Sequence, residues 1–236
     1  MKVEFLDDYE LLSRRACDII IEGLAGNPGM LLCTASGASP LLTYHLLEKK
    51  YKEKPGQFDK LRVLKLDEWG GIAMDNPQTC EVFLQESIIR PLHLDPGRYA
   101  GFKSNPERPE KECARMASWL KHNGPVDLCV LGIGLNGHIA FNEPGDHLHP
   151  HCHIAVLSEQ SMQHPMAVLM GEKPSYGLTI GMADILRSKK IIMLVTGSGK
   201  KEMISTFLSG KITTALPASF LWLHPDVVCL VDKNAR

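Results

Sequence analysis

Neither sign of charge dominates this chain of 236 residues: 26 Lys and Arg stand against 27 Asp and Glu. That near-neutrality leaves no electrostatic footprint for nucleic acid or an anionic membrane surface. No apolar run is long enough to span a bilayer, and the opening Met1-Lys2-Val3-Glu4-Phe5-Leu6-Asp7-Asp8 lacks the apolar core of a signal peptide. No C-x-x-C pair occurs, and the seven cysteines are scattered and odd in number. Cys33, Cys129 and Cys229 sit in apolar surroundings, so they read as buried free thiols in a reducing, cytoplasmic compartment. Nothing singles out a catalytic cysteine. No internal repeat, low-complexity tract or composition shift marks a linker, so residues 1–236 read as one domain. The hydrophobic fraction of 44% and charged fraction of 22% are ordinary for a globular protein.

What is present is an alternation of strand and helix signals. Asp7 and Asp8 can cap a helix with Leu12, Ala16 and Ile19 at helical spacing, ending near Gly26. Met30 to Thr34 reads as a buried strand, and Ser39-Pro40 as the start of a helix through Leu46, with the serine as its cap. Strands are expected at Val63–Leu66, Val126–Leu131, Ile154–Leu157, Ile191–Val195 and Val227–Val231. Helices are expected at Cys80–Ile89, Lys111–His122 and Lys200–Leu208. The expected fold is α/β: a doubly wound, mainly parallel sheet with helices on both faces.

Four polar motifs sit just past the C-terminal ends of expected strands: Ser36-Gly37-Ala38-Ser39, Asp67-Glu68-Trp69-Gly70-Gly71, Gly132 to Glu143, and Thr196-Gly197-Ser198-Gly199-Lys200. In an open parallel sheet those ends share one edge, so the four can line one crevice. The Gly132 loop is the richest, carrying Asn136, His138 and Glu143: an amide, an imidazole and a carboxylate. Its glycines let the backbone turn sharply and approach a ligand. Gly132, Gly134 and Gly137 also satisfy the dinucleotide fingerprint, but Asn142-Glu143-Pro144-Gly145 signals a turn where that fingerprint needs a helix.

Ser36 to Ser39 fits either a plain helix cap or an anion seat of free N–H groups and hydroxyls. Gly197 to Lys200 repeats the design and adds an ammonium, without the glycine and the Ser or Thr of a nucleotide-triphosphate loop. A compact phosphate on a small metabolite fits better. Asp67 and Glu68 are neighbours, so strand alternation turns only one of them to the crevice, where partial desolvation would suit a general base. His147, His149, His151 and His153, with Cys152, invite a metal reading, but Pro150 interrupts the alternation. A polar surface segment is the better reading, and no metal is assigned.

Together these motifs resemble the glucosamine-6-phosphate deaminase/isomerase family, whose wider relatives include 6-phosphogluconolactonase. The string Gly137-His138-Ile139-Ala140-Phe141-Asn142-Glu143-Pro144 is the most specific match, and the motifs follow the family's order nearly end to end. The resemblance implies that Asp67 is the enolising base and His138 the ring-opening acid/base, held by Glu143 and Asn136. It implies a phosphate seat of Ser36, Gly37, Ala38, Ser39 and Lys200, and no metal or organic cofactor. The glucosamine enzymes carry an aspartate at Asn136, a phosphate-binding arginine in the region of Gln163 to Val168, and a longer C-terminal tail. His164 is the candidate substitute for that arginine. The allosteric control and hexameric assembly of some members are not carried over, although a homo-oligomer is left open. Leu135 to His138, His151 to His153 and Thr213 to His224 resemble the galactosamine-6-phosphate isomerase branch. The expected reaction turns galactosamine 6-phosphate, a small sugar phosphate, into tagatose 6-phosphate and ammonia. The alternatives are a glucosamine-6-phosphate deaminase giving fructose 6-phosphate, a sugar-lactone hydrolase, and a non-catalytic sugar-phosphate sensor.

Overall fold

The structure is a computed structural model that describes residues 1–235. The chain opens with β1 (Lys2–Leu6), α1 (Tyr9–Gly26), β2 (Leu31–Thr34), α2 (Ala38–Glu53), β3 (Arg62–Lys65) and β4 (Asp67–Gly70). Then come α3 (Cys80–Leu84), β5 (Tyr99–Ala100), α4 (Pro109–Asn123), β6 (Leu128–Gly132), β7 (His153–Ala155), α5 (Glu159–Met162) and α6 (Pro165–Leu169). It ends with β8 (Tyr176–Thr179), α7 (Met182–Leu186), β9 (Lys190–Val195), α8 (Lys201–Leu208) and β10 (Val227–Asp232).

Among the described residues, seven strands form one parallel sheet in the order β1-β10-β9-β6-β2-β3-β5. Its central strands are apolar throughout because both faces are covered. Leu32, Val130, Ile192 and Leu230 face α1 and α2. Cys33, Cys129, Leu131, Met193 and Cys229 face the other way, towards α4, α7 and α8. α1 presents Leu12, Ala16, Ile19, Ile20 and Leu24 to this core, and Asp8 caps it by accepting the Leu11 N–H at 2.8 Å. The doubly wound sheet is therefore as expected, and all seven cysteines are free, six of them buried.

Two features differ from the expectation. Ser39 does not cap α2: the cap is Gly37 (φ 100°), and the Ser39 hydroxyl instead meets Thr196 Oγ1 at 2.6 Å. Asp67 and Glu68 do not end β3. They begin β4, which pairs antiparallel with β8, and β8 pairs antiparallel with β7. This three-stranded annex over the sheet's C-terminal edge left little trace in the sequence, because β4 and β8 are four residues each and β7 is three. The segment expected as a strand at Ile154–Leu157 is β7, displaced by one residue at its start.

The histidine-rich segment lies on the surface. Only His153 belongs to a strand, and His151 turns away to Asp184 at 3.0 Å. The His147, His149 and His153 rings do lie in a row, with centroids 5.2 and 4.4 Å apart, but among the described residues no three His, Cys, Asp or Glu side chains are placed to hold a metal ion. No described helix is long and apolar enough to cross a membrane.

Candidate active site

Strand order locates the crevice. β2 leads on to β3 and β5 on one side, while its neighbour β6 leads to β9 and β10 on the other. The loops leaving β2 and β6 diverge at that switch point, where open α/β sheets leave a cleft for a ligand. The first of these loops is Ser36 to Ser39 and the second is Gly132 to Pro144. The Thr196 to Lys200 loop after β9 and the start of β4 flank them.

Side-chain contacts show that the four motifs meet. Ser39 bonds to Thr196 across the crevice. The Lys200 ammonium donates to the Ile133 carbonyl at 2.7 Å, tying the β9 loop to the β6 loop. The Ser36 hydroxyl donates to Cys80 Sγ at 3.0 Å, and Cys80 Sγ lies 3.9 Å from Asp67 Oδ1. His164 caps α6, its Nδ1 accepting the Met166 N–H at 3.3 Å. That bond leaves the ring proton on Nε2. A Cβ added at Gly37 would lie 3.7 Å from this Nε2, so the proton-bearing nitrogen faces the Ser36–Ser39 loop.

The start of α2 has no side-chain cap. Its first-turn N–H groups therefore remain available to an anion, and the helix dipole favours one. Burial lowers the Lys200 ammonium to about 8. Burial, then the nearby His138 and Lys200, also lower His164. A phosphate dianion would relieve both costs. If Lys200 holds a substrate phosphate, Lys200→Ala is expected to raise KM roughly 10- to 100-fold with a smaller change in kcat, because such a charge-assisted bond is made in ground and transition states alike. Steady-state kinetics read this directly, and a loss confined to kcat would count against a phosphate contact.

The two carboxylates of β4 have different fates, as alternation requires. Glu68 is fully buried and accepts the N–H groups of Trp69, Cys80 and Glu81 at 2.9, 2.9 and 2.8 Å, and it pairs with buried Lys65 at 2.7 Å. It is the bracket that holds β4 against α3. Asp67 has no such partners: Cys80 alone reaches it by hydrogen bond among the described residues. Burial, then the adjacent Glu68 charge, push its carboxyl up to about 7, against the weaker pull of Lys65 and Cys80.

A histidine–glutamate pair is built on the β6 loop. His138 Nδ1 lies 3.4 Å from Glu143 Oε2 and 3.3 Å from Ser161 Oγ. With the Ser161 proton given to Glu143 Oε1, Nδ1–H donates and Nε2 is left for a ligand. Burial works against the Glu143 charge, but His138, Ser161 and Asn136 outweigh it and hold the carboxyl at about 2. Among the described residues no hydrogen bond joins Asn136 to the imidazole itself; Asn136 holds His138 through the backbone and through Glu143. Its Oδ1 accepts the His138 N–H at 3.1 Å and its Nδ2 donates to Glu143 Oε2 at 2.9 Å, so it shapes the loop and steadies the carboxylate.

The loop's glycines divide the work. A Cβ at Gly134 would sit 2.3 Å from His138 Cε1, so the ring lies directly on that backbone. Gly137 has a φ of +83°, which suits glycine. Gly132 has ordinary dihedrals and open space around it, so the expected need for three glycines reduces to two.

The sequence reading missed Ser158, Ser161 and Cys80, and placed Thr196 in a crevice motif without a role of its own. Ser158 caps α5 and donates its N–H to Glu143 Oε1 at 3.4 Å. The segment from Ser158 to Leu169 thus touches the His138–Glu143 pair through its serines and approaches the Ser36–Ser39 loop through His164. It is seated by Trp69, whose ring meets Phe141 edge-on at 4.6 Å and His164 at 6.0 Å.

Fold and site together define an open α/β protein whose crevice gathers an uncapped helix start, a buried ammonium, a carboxyl raised by burial and a histidine–glutamate pair. The chain belongs to the glucosamine-6-phosphate isomerase/6-phosphogluconolactonase family, which it matches over residues 10–229. It is 41% identical over 227 residues to a protein of Escherichia coli (strain K12) provisionally named deaminase AgaI, spanning 96% of this chain and 90% of that protein. It is 32% identical over 237 residues to the glucosamine-6-phosphate deaminase of Clostridium perfringens (strain 13 / Type A), spanning 100% and 98% of the two chains. The structure of a monomeric glucosamine-6-phosphate deaminase superposes with a TM-score of 0.94 at 33% identity, over 99% of this chain and 98% of that one. A 6-phosphogluconolactonase from Trypanosoma brucei shares the fold, with a TM-score of 0.81 at 20% identity over 99% and 96% of the chains.

Proposed function

We propose that this protein converts galactosamine 6-phosphate and water into tagatose 6-phosphate and ammonia. One observation carries the reading: the crevice holds a carboxylate near neutrality, Asp67, apart from the His138–Glu143 pair. The reaction needs two such units. His138 Nε2 moves the proton between the ring oxygen and the C1 hydroxyl, opening the sugar to its aldehyde. Asp67 then takes the C2 proton, giving an enolamine, and returns it to C1, leaving an iminium at C2. Water adds to that carbon, and ammonia leaves as the C2 ketone forms. Hydrolysis of a lactone requires only one base to activate water, so it leaves Asp67 unemployed.

The galacto preference rests on narrower ground. Two of the three segments that resemble that branch touch each other at the His138 loop: Leu216 packs where a Gly137 Cβ would lie, and the Ala218 N–H donates to the Gly137 carbonyl at 3.0 Å.

Ammonia release from purified protein, supplied separately with galactosamine 6-phosphate and glucosamine 6-phosphate, tests the proposal. Faster turnover of the galacto sugar is expected. Faster turnover of the gluco sugar keeps the chemistry and overturns the preference. Binding without ammonia release favours a sensor, and hydrolysis of 6-phosphogluconolactone in its place favours a lactonase.

The pH profile is a further expectation. Asp67 must be ionised, so kcat/KM falls as pH drops through about 7. Lys200 must be charged to hold the phosphate, so kcat/KM falls again as pH rises through about 8. The alkaline limb of kcat lies higher, because bound phosphate stabilises the ammonium. A plateau extending from about pH 5 to about pH 10 contradicts both assignments.

A further inference from the structure

Cys80 stands between the two parts of the site that the proposed reaction uses. It is the first residue of α3 and is 1% exposed. The backbone N–H of this residue is held by Glu68 at 2.9 Å, and Glu68 is itself fixed by buried Lys65. The Sγ position is thereby set by the framework under β4. From there Sγ accepts the Ser36 hydroxyl at 3.0 Å and reaches Asp67 Oδ1 at 3.9 Å. Since Ser36 supplies its own proton, the thiol proton points to the carboxylate.

We propose that Cys80 is a positioning residue that links the phosphate loop to the base and reserves the second Asp67 oxygen for the substrate. The inference rests on the assignment of Asp67 as the enolising base. Oδ1 is the oxygen engaged by the thiol, and among the described residues no hydrogen bond engages Oδ2. A carboxylate engaged at one oxygen favours the rotamer that keeps that contact, which gives its other lone pairs a preferred direction towards a C2 proton. The thiol also suits the task by being weak. A strong donor would drive Asp67 back to an ordinary, feebly basic carboxylate. Burial, then the Glu68 and Asp67 charges, push the Cys80 thiol well up, so it stays protonated and serves as a donor, not a nucleophile.

The link has a consequence for phosphate binding. If the Ser36 hydroxyl turns to a phosphate oxygen, Cys80 Sγ loses its donor and the thiol becomes a poorer donor to Asp67. Occupancy of the seat then makes the base stronger.

The groups bearing on Asp67 are few. Glu68 on β4 raises it, Lys65 on β3 lowers it, and Cys80 on α3 lowers it. Cys33 on β2 and Tyr44 on α2 both feel its charge. On β8 the partner across the ladder is Thr179, which is uncharged.

The test is titration of the Asp67 carboxyl by carbon NMR in full-length wild type, Cys80→Ala, Cys80→Ser and Ser36→Ala, each checked for a folded melting transition. Cys80→Ala is expected to raise the Asp67 midpoint by roughly half a pH unit or more, and the acid limb of kcat/KM with it. Ser36→Ala is expected to move it the same way by less, and Cys80→Ser to return it towards wild type. Saturating inorganic phosphate is expected to shift the wild-type midpoint further than that of Cys80→Ala. Equal midpoints in wild type and Cys80→Ala overturn the proposal, and a Cys80→Ala effect seen only on melting temperature reduces Cys80 to packing. Absence of ammonia release by the wild type would sink the functional reading alone, since the titration does not need turnover.

Discussion

Asp67→Asn is expected to reduce ammonia release by roughly 10²- to 10⁴-fold, the usual range for loss of a placed general base. It is also expected to make the protein more stable at alkaline pH. Both effects have one cause. The Asp67 carboxyl is raised from 3.8 to about 7 by burial and by Glu68, so the folded state resists its ionisation. A carboxyl raised in the folded state adds no penalty below its unfolded value of about 4. The penalty grows as pH rises from there and is complete above about 7. That interval corresponds to about 4 kcal/mol at most. Asparagine has nearly the same shape and no charge, so it removes that penalty, less whatever its unpartnered amide costs. Melting at about pH 8 should rise by roughly 5 °C or more for a chain of this size, and the gain should vanish at about pH 4. Equal melting temperatures at the alkaline end would mean that Asp67 is not held under strain, and the base assignment would lose its physical support. Any lactonase activity should survive the same substitution.

A side chain that weakens the fold and yet occupies the end of the crevice is retained for something other than packing. Glu68 next to it illustrates the contrast, since each of its oxygens is satisfied by a fixed donor. The sequence could say that only one of this pair faces the crevice, because alternation forces it. It could not say which one without the family resemblance. The choice depends on Lys65, Cys80 and Glu81, brought alongside by the turn into β4 and by α3.

The same distinction governs the rest of the molecule. β2, β6, β9 and β10 were legible because strands covered on both faces must be apolar from end to end. β4, β5 and β8 were not, at two to four residues each, and the annex that β4 and β8 help build places Asp67. Asn136, His138 and Glu143 were legible as a group because one short loop of chain contains them all. Ser161 was invisible, since the contact with His138 spans 23 residues. The Ser36–Cys80 bond spans 44 and the Ser39–Thr196 bond 157. Local pattern reports what a residue can do; only the closed sheet reports which partners it finds.

The second large effect is expected at His138. Nδ1 of this ring is engaged by Glu143 and Ser161, and Gly134 gives the ring a backbone surface to lie on, so Nε2 has one direction available. His138→Gln keeps an amide of similar reach but removes the group that can take a proton and return it. Turnover of the closed sugar is expected to fall roughly 10²-fold or more. Enolisation by Asp67 needs no proton carrier at that position, so a substrate that is already open should suffer far less. An analogue lacking the C4 and C5 hydroxyls cannot close a five- or six-membered ring and isolates that step. The comparison is the rate of the His138→Gln variant relative to wild type on each substrate, which cancels the analogue's weaker binding. A large loss on the cyclic sugar with a small one on the open analogue places His138 in ring opening. Equal losses on both would move it into proton transfer at carbon, and Asp67 would then no longer be sufficient for the C2-to-C1 step.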